Sequence, residues 1–228
     1  MSSEKTEGAA FGAAHAQSYA EGARRQVPGL DGLHRMTGML LAECVPDAAQ
    51  ILVLGAGGGL ELQALAEAHA GWHFVGIDPS ADMLDTAAHV TEPYRDRVRL
   101  QQGYIADAPS GPFDGAVSLL VFHFIDRDAR LATLEALRRR LKPGAPLVIA
   151  HISFPQDEPE RSRWIARHVA FAGTEGAAAE KARDTIGSRL TILAPEDDEA
   201  MLRAAGFAGV TLIHVGLSIR GWVAYATK

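Results

Sequence analysis

The chain has 228 residues, 47% of them hydrophobic and 22% charged, with a net charge of −6. That length and balance suit one globular domain with a full core. An acidic chain has no general attraction for nucleic acid, and no apolar run approaches the roughly 20 residues of a membrane span.

A single cysteine, Cys44, excludes an intrachain disulfide and a thiolate metal cluster. It falls within an apolar helical pattern and is expected in the core. Residues 1–12 are small and polar, without the cationic start and apolar stretch of a secretory signal. They read as a flexible tail, and the protein is expected to be cytoplasmic.

Residues 13–45 form an N-terminal cap containing Tyr19, Arg24, Arg25 and the Pro28-Gly29 turn. Its last part, Leu33 to Val45, has the spacing of an amphipathic helix that stops before Pro46. An apolar strand over 51–54 then runs straight into Gly55-Ala56-Gly57-Gly58-Gly59, and a helix over 60–69 leaves on the far side. A second strand, 73–77, ends on Asp78, and a helix over 80–89 follows with Ser80 as its N-cap. Strand 98–102 leads into a loop around 106–109.

Strand 114–120 and helix 128–141 form a fourth unit, the helix started by Asp126 or Asp128 and stopped by Lys142-Pro143-Gly144. Arg138, Arg139 and Arg140 complement the negative end of that helix. A fifth strand covers 145–152. Residues 155–190 break the rhythm and read as a helical lid. A helix over 196–205 ends at Gly206. The β runs 209–215 and 219–226 are too close for anything but a hairpin, so the last strand must be antiparallel. The predicted fold is α/β: a Rossmann-like, seven-stranded, mostly parallel sheet with helices on both faces and a helical lid. Residues 13–226 form one domain.

The glycine loop and Asp78 together describe a nucleoside-binding edge, where backbone lies close to a ligand and a carboxylate grips two ribose hydroxyls. A dinucleotide fingerprint would need a third small residue at Leu60, and no Gly-Lys-Ser/Thr follows. Glu61 at the start of the helix would also repel a phosphate. An NAD(P)-dependent oxidoreductase is therefore disfavoured, as it is by the lack of a Tyr-x-x-x-Lys pair. No histidine spacing suits a metal.

Several segments in this order carry a family resemblance. They are Val53 to Gly59, Gly76-Ile77-Asp78-Pro79-Ser80 with Met83-Leu84, Pro112-Phe113-Asp114, Leu141 to Gly144, and Ala204 to Phe207. In this succession the chain resembles the class I S-adenosylmethionine-dependent methyltransferases. Arg25-Gln26-Val27-Pro28-Gly29 adds a weaker likeness to the carboxy-S-adenosylmethionine synthase branch.

The resemblance implies S-adenosylmethionine as cofactor and S-adenosylhomocysteine as product. It places Gly55, Ala56, Gly57 and Gly59 against the methionine portion and ribose, with Asp78 on the ribose. Pro79, Met83, Tyr104 and Ile105 would surround the adenine. Tyr104 stands where many relatives have an aspartate, and Asp107 reads as a turn carboxylate. Leu120 and Val121 would pass near the methionine end. His123 at the end of the fourth strand is the candidate general base, and Tyr19 is expected to line the active site. Arg25 is expected to pair with the methionine carboxylate. His34, His151 and His168 are the other histidines within reach of a cleft, and the lid arginines Arg183 and Arg189 are further carboxylate readers if they face it.

The expected reaction is methyl transfer to an O, N or C nucleophile of a small-molecule acceptor. Two alternatives stay open. One is synthesis or use of carboxy-S-adenosylmethionine, which needs cations near the methyl site; the other is a non-catalytic S-adenosylmethionine-binding protein. No nucleic-acid or membrane partner is expected, and a homodimer is compatible with the sequence.

Overall fold

Alternating apolar side chains along buried strands set the architecture. In β1 (Gln50–Leu54), Leu52 and Leu54 serve one face of the sheet while Ile51 and Val53 serve the other. The computed structural model describes residues 18–228. The expected tail, 1–12, and the first cap residues, 13–17, lie outside them.

The other strands are β2 (His73–Asp78), β3 (Val98–Gln102), β4 (Gly115–Leu119), β5 (Pro146–Ile152), β6 (Phe207–Gly216) and β7 (Ile219–Ala226). They form one sheet in the order β3-β2-β1-β4-β5-β7-β6. Neighbours from β3 to β5 are parallel, whereas β7 is antiparallel to both β5 and β6. The seven-stranded sheet with a reversed last strand is thus the one the hairpin spacing predicts.

Residues 18–26 are helical and are called α1. On one face of the sheet lie α2 (Leu30–Ala42), α3 (Leu60–Ala68) and α4 (Ala81–Val90), which bury Leu33, Leu41, Leu62, Leu65 and Leu84 against Ile51 and Val53. On the other face, α5 (Arg127–Arg139) and α8 (Pro195–Ala204) bury Leu134, Leu137 and Leu202 against Leu52, Leu54 and Trp222. Each such side chain contributes roughly 1.5–3 kcal/mol when fully buried. Helices α6 (Glu160–Phe171) and α7 (Gly176–Arg189), the segment expected to be a lid, join a third cluster in which Val27, Leu30, Phe154, Ile165 and Ile192 meet at the end of β5.

Helix α2 starts and stops three residues earlier than its apolar spacing suggests, because Gly29 takes a left-handed conformation that begins the helix at Leu30. Cys44 therefore falls after the last turn and is exposed, not in the core. Ser80 caps α4 as expected, its hydroxyl accepting from the Met83 N–H at 3.3 Å. The Asp126 side chain makes no such cap on α5. Arg140 reaches instead from the end of α5 to the carbonyls of Ala106, Ala108 and Ala136, tying the loop after β3 to this face.

Two polar clusters hold strands in register. Asp114 accepts from the Gln50 N–H at 2.9 Å and pairs with Lys142 Nζ at 2.6 Å, so one carboxylate joins the starts of β1 and β4 to the turn before β5. Behind the sheet's binding edge, Arg130 and Asp198 form a buried pair at 3.0 Å, and His151 Nε2 lies 3.1 Å from the same carboxylate. Arg130 also donates to the carbonyls of Ile125 and Thr191. That network pins the start of α5 to β5 and α8.

Candidate active site

The strand order reverses between β1 and β4, and the loops at their C-terminal ends diverge to leave a crevice, the usual ligand position in such sheets. A cavity of about 710 Å³ lies there. One wall is the loop after β1; the opposite wall is the segment after β4. The far end is formed by the tips of β2 and β3, and α1 and α2 cover the near end.

Asp78 holds the loop and faces the cavity. One carboxylate oxygen accepts from the Gly57 N–H and the other from the Ser80 N–H, both at 2.9 Å. Each oxygen keeps lone-pair capacity for a further donor, as a pair of ribose hydroxyls would supply. Pro79, Met83, Gly103, Tyr104 and Ile105 line the cavity beyond it. Tyr104 is 68% exposed, a flat aromatic face at the rim. Asp107 is occupied in its own turn, accepting from the Tyr104 N–H at 2.8 Å, as its reading as a turn carboxylate requires.

Tyr19 lies across the glycine loop. Its hydroxyl accepts from the Gly58 N–H at 3.4 Å, and a Cβ on Gly58 would sit 2.2 Å from its ring. Only glycine permits that approach. Burial, followed by the nearby Glu61 carboxylate, pushes the phenol up from its ordinary value, so Tyr19 is a neutral hydrogen-bonding group. On the opposite wall Leu120 adopts a left-handed backbone, φ 63°, uncommon for a residue with a Cβ, and its N–H donates to the Ala150 carbonyl at 2.6 Å. That turn brings Leu120 and Val121 onto the cavity wall.

Ten of the expected site residues therefore converge on one cavity: Tyr19, Gly55, Gly57, Asp78, Pro79, Met83, Tyr104, Ile105, Leu120 and Val121. Four do not line it. Ala56 is buried beneath the loop with its N–H on the Ile77 carbonyl at 2.9 Å. Gly59 faces α4, where a Cβ would lie 2.9 Å from Ala87 Cα, so this glycine serves helix packing. Arg25 is exposed on α1, away from the wall.

His123 is the clearest correction. The left-handed turn at Leu120 leads into a short 3₁₀ turn, Phe122–Phe124, which buries His123 and presents Phe124 instead. The His123 Nδ1 accepts from the Ile152 N–H at 3.4 Å. Burial, then the neighbouring His151, His168 and Arg130, lower its pKa well below the ordinary histidine value. A buried, neutral ring behind the wall is no base for a group in the cavity. His151 is likewise buried, against Asp198, and His168 Nδ1 lies 2.6 Å from the Ser218 hydroxyl. No residue of 155–190 lines the cavity, Arg183 and Arg189 included.

Three wall residues carried little weight in the sequence. Leu60 and Glu61 open α3 beside Tyr19, and His34 reaches in from α2. Burial lowers His34 from 6.5 to about 4, which keeps it neutral. Burial raises Glu61 from 4.5 to about 8, with Asp78 adding to the rise. The buried acid of Glu61 was legible only as a charge unfit for phosphate; its place inside the cavity comes from α1 folding over it. No Lys or Arg lines the cavity among the described residues.

Fold and site thus define a doubly wound α/β protein with an adenosine-type crevice at its switch point. Residues 52–147 match the family described as "Methyltransferase domain". A carboxy-S-adenosyl-L-methionine synthase of Aeromonas salmonicida is 23% identical over 191 residues, 81% of this chain and 77% of that protein. Among solved structures, the S-adenosylmethionine-dependent methyltransferase SibL superposes with a TM-score of 0.62 at 19% identity over 88% of this chain. The chain spans only 57% of SibL. A methyltransferase from Aquifex aeolicus matches over 94% of this chain and 98% of its own, with a TM-score of 0.62 and 17% identity.

Residues 52–147 thus resemble a methyltransferase domain within a Rossmann-like fold, and S-adenosylmethionine is the cofactor its crevice fits. No helix among the described residues is long and apolar enough to cross a membrane.

Proposed function

We propose that the protein transfers the methyl group of S-adenosylmethionine to a small, largely apolar acceptor that is uncharged or cationic. The observation that supports this reading is the composition of the cavity wall: two acidic side chains, Glu61 and Asp78, and no Lys or Arg among the described residues. A carboxylate beyond the cofactor's own, on an acceptor or on a carboxylated cofactor, would find no Lys or Arg counter-ion there. Phe124, Leu30, Ala23 and Leu120 supply apolar surface near Tyr19.

When bound, the sulfonium supplies an already activated methyl group. The chain's part is to hold the adenosine end through Asp78 and to stack its base between Tyr104, Ile105 and the 79–83 turn. Tyr19 covers the glycine loop and keeps water from the methionine end. With His123 buried away from the cavity, acceptors that are nucleophilic without deprotonation, such as neutral amines, fit best.

A second reading, synthesis of carboxy-S-adenosylmethionine, draws on the named relatives at 23–25% identity. The two readings separate by mass spectrometry of the co-purified ligand, followed by transfer of labelled methyl to a panel of amines, phenols and carboxylic acids. Label on uncharged or cationic acceptors is expected. A carboxylated cofactor, or transfer confined to carboxylic acids, would overturn the proposal. Cofactor binding without transfer to any acceptor would favour a non-catalytic binding protein.

A further inference from the structure

Glu61 is a buried carboxyl group on the wall of the cofactor cavity, 7% exposed, at the first turn of α3. Among the described residues no cation pairs with it. The titratable groups that share its cavity are Tyr19 on α1, His34 on α2, Asp78 at the tip of β2 and Tyr104 at the rim. None supplies a positive charge: the phenol and the imidazole are neutral, and Asp78 is acidic. An acid with this much burial and no cationic partner is costly to ionise until a cation arrives.

We infer that Glu61 is the counter-ion for the positive charge at the methionine end of the bound cofactor, and that binding the cofactor drives its proton into solvent. The inference rests on the cavity being the S-adenosylmethionine site. Asp78 and the tips of β2 and β3 account for the adenosine, and Glu61 and Tyr19 lie beside the glycine loop, near enough to Asp78 to feel its charge. In the free protein at neutral pH the group is a carboxylic acid, since burial holds its titration up near 8. The step balances simply: the acid loses one proton to buffer, and the carboxylate left behind faces an onium centre. Two centres have that chemistry, the sulfonium and the α-ammonium, and they differ in one respect. S-Adenosylhomocysteine keeps the ammonium and lacks the sulfonium charge.

The test is titration calorimetry of the full chain with S-adenosylmethionine in buffers of different ionisation enthalpy, which counts protons exchanged. At neutral pH the wild type is expected to release about one more proton per cofactor than Glu61→Gln. The variant should also bind on the order of tenfold more weakly. With S-adenosylhomocysteine the difference disappears if the sulfonium is the partner and persists if the ammonium is. The wild type alone gives a second readout: its excess release of protons should fade above about pH 8, where the free acid is already ionised. Equal proton counts for the two proteins, or wild-type release that does not fade at high pH, would overturn the inference. Failure of the wild type to bind S-adenosylmethionine at all would overturn instead the assignment of the cavity.

Discussion

Gly59 and Gly57 sit two residues apart in one loop, yet the structure gives them different work, and replacing each by alanine separates the two. Gly59 has φ 83°, and an added Cβ would lie 2.9 Å from Ala87 Cα and 3.1 Å from Ala87 Cβ on α4. A left-handed conformation costs a residue with a Cβ about 1–2 kcal/mol, and forcing a methyl group against helix backbone costs about 1–3 kcal/mol more. Gly59→Ala is expected to lose roughly 2–5 kcal/mol of stability, a fall in Tm of about 4–20 °C for a chain of this size. The nearest atoms to a Cβ on Gly57, by contrast, are the Tyr19 hydroxyl at 3.3 Å and Met83 Cε at 3.6 Å, both on the cavity wall. Gly57 shares the left-handed strain, with φ 47°, so Gly57→Ala should lose about that 1–2 kcal/mol of stability and no packing cost, while weakening cofactor binding. Urea unfolding without ligand and cofactor titration of each variant give the four numbers needed. A stable Gly59→Ala that has lost its cofactor would refute the packing role and restore this glycine to the ligand.

Asp198→Ala leaves Arg130 buried without its partner and should cost about 3–5 kcal/mol of stability by urea unfolding. His123→Ala should lower stability by on the order of 2 kcal/mol while leaving the cofactor Kd nearly unchanged; a lost turnover rate at full stability would return His123 to the chemistry. The free protein should also show two opposed pH effects. Glu61 titrates near 4.5 unfolded and about 8 folded, so the stability tied to its neutral form is complete at acid pH and is lost as pH rises through that interval. Glu61→Gln should recover on the order of 3–5 kcal/mol above it and nothing below pH about 4.5. His34, lowered from 6.5 to about 4, gives the reverse: stability falls as the pH drops through that range, and His34→Gln removes the fall, read as Tm against pH.

The sheet was legible because its signal is local. The apolar runs at 51–54 and 145–152 are buried on both faces, and the close spacing of 209–215 and 219–226 allows only a hairpin. The cavity wall at the tip of β2 was legible for a similar reason: Asp78 and the 79–83 turn follow their strand directly, so chain order fixes their place. The methionine end depends on backbone direction that residue types do not announce. A leucine at φ 63° is not something the sequence advertises, yet that turn at Leu120 decides that Phe124 faces the cavity and His123 does not. Gly59 looked like its neighbours because a glycine needed for a ligand and one needed for a facing helix are the same residue. Arg25 was placed by the family likeness of its Pro-Gly segment, but on α1 it is exposed while Tyr19 lies over the loop. Pro112-Phe113-Asp114, recognised as a family segment, proved to be a strand clamp through Gln50 and Lys142.

Asp78 as the ribose ligand is the residue on which the assignment of an S-adenosylmethionine site turns. Because the same carboxylate also holds the Gly57 and Ser80 N–H groups, the decisive measurement is a double-mutant cycle by titration calorimetry. Wild type and Asp78→Asn are each titrated with S-adenosylmethionine and with its 2′-deoxy analogue. The wild type is expected to lose about tenfold or more in affinity for the analogue, and the variant to bind both ligands with a similar, weakened affinity. An equal preference for the hydroxyl in both proteins would contradict that assignment, for Asp78 would then serve only to shape the loop.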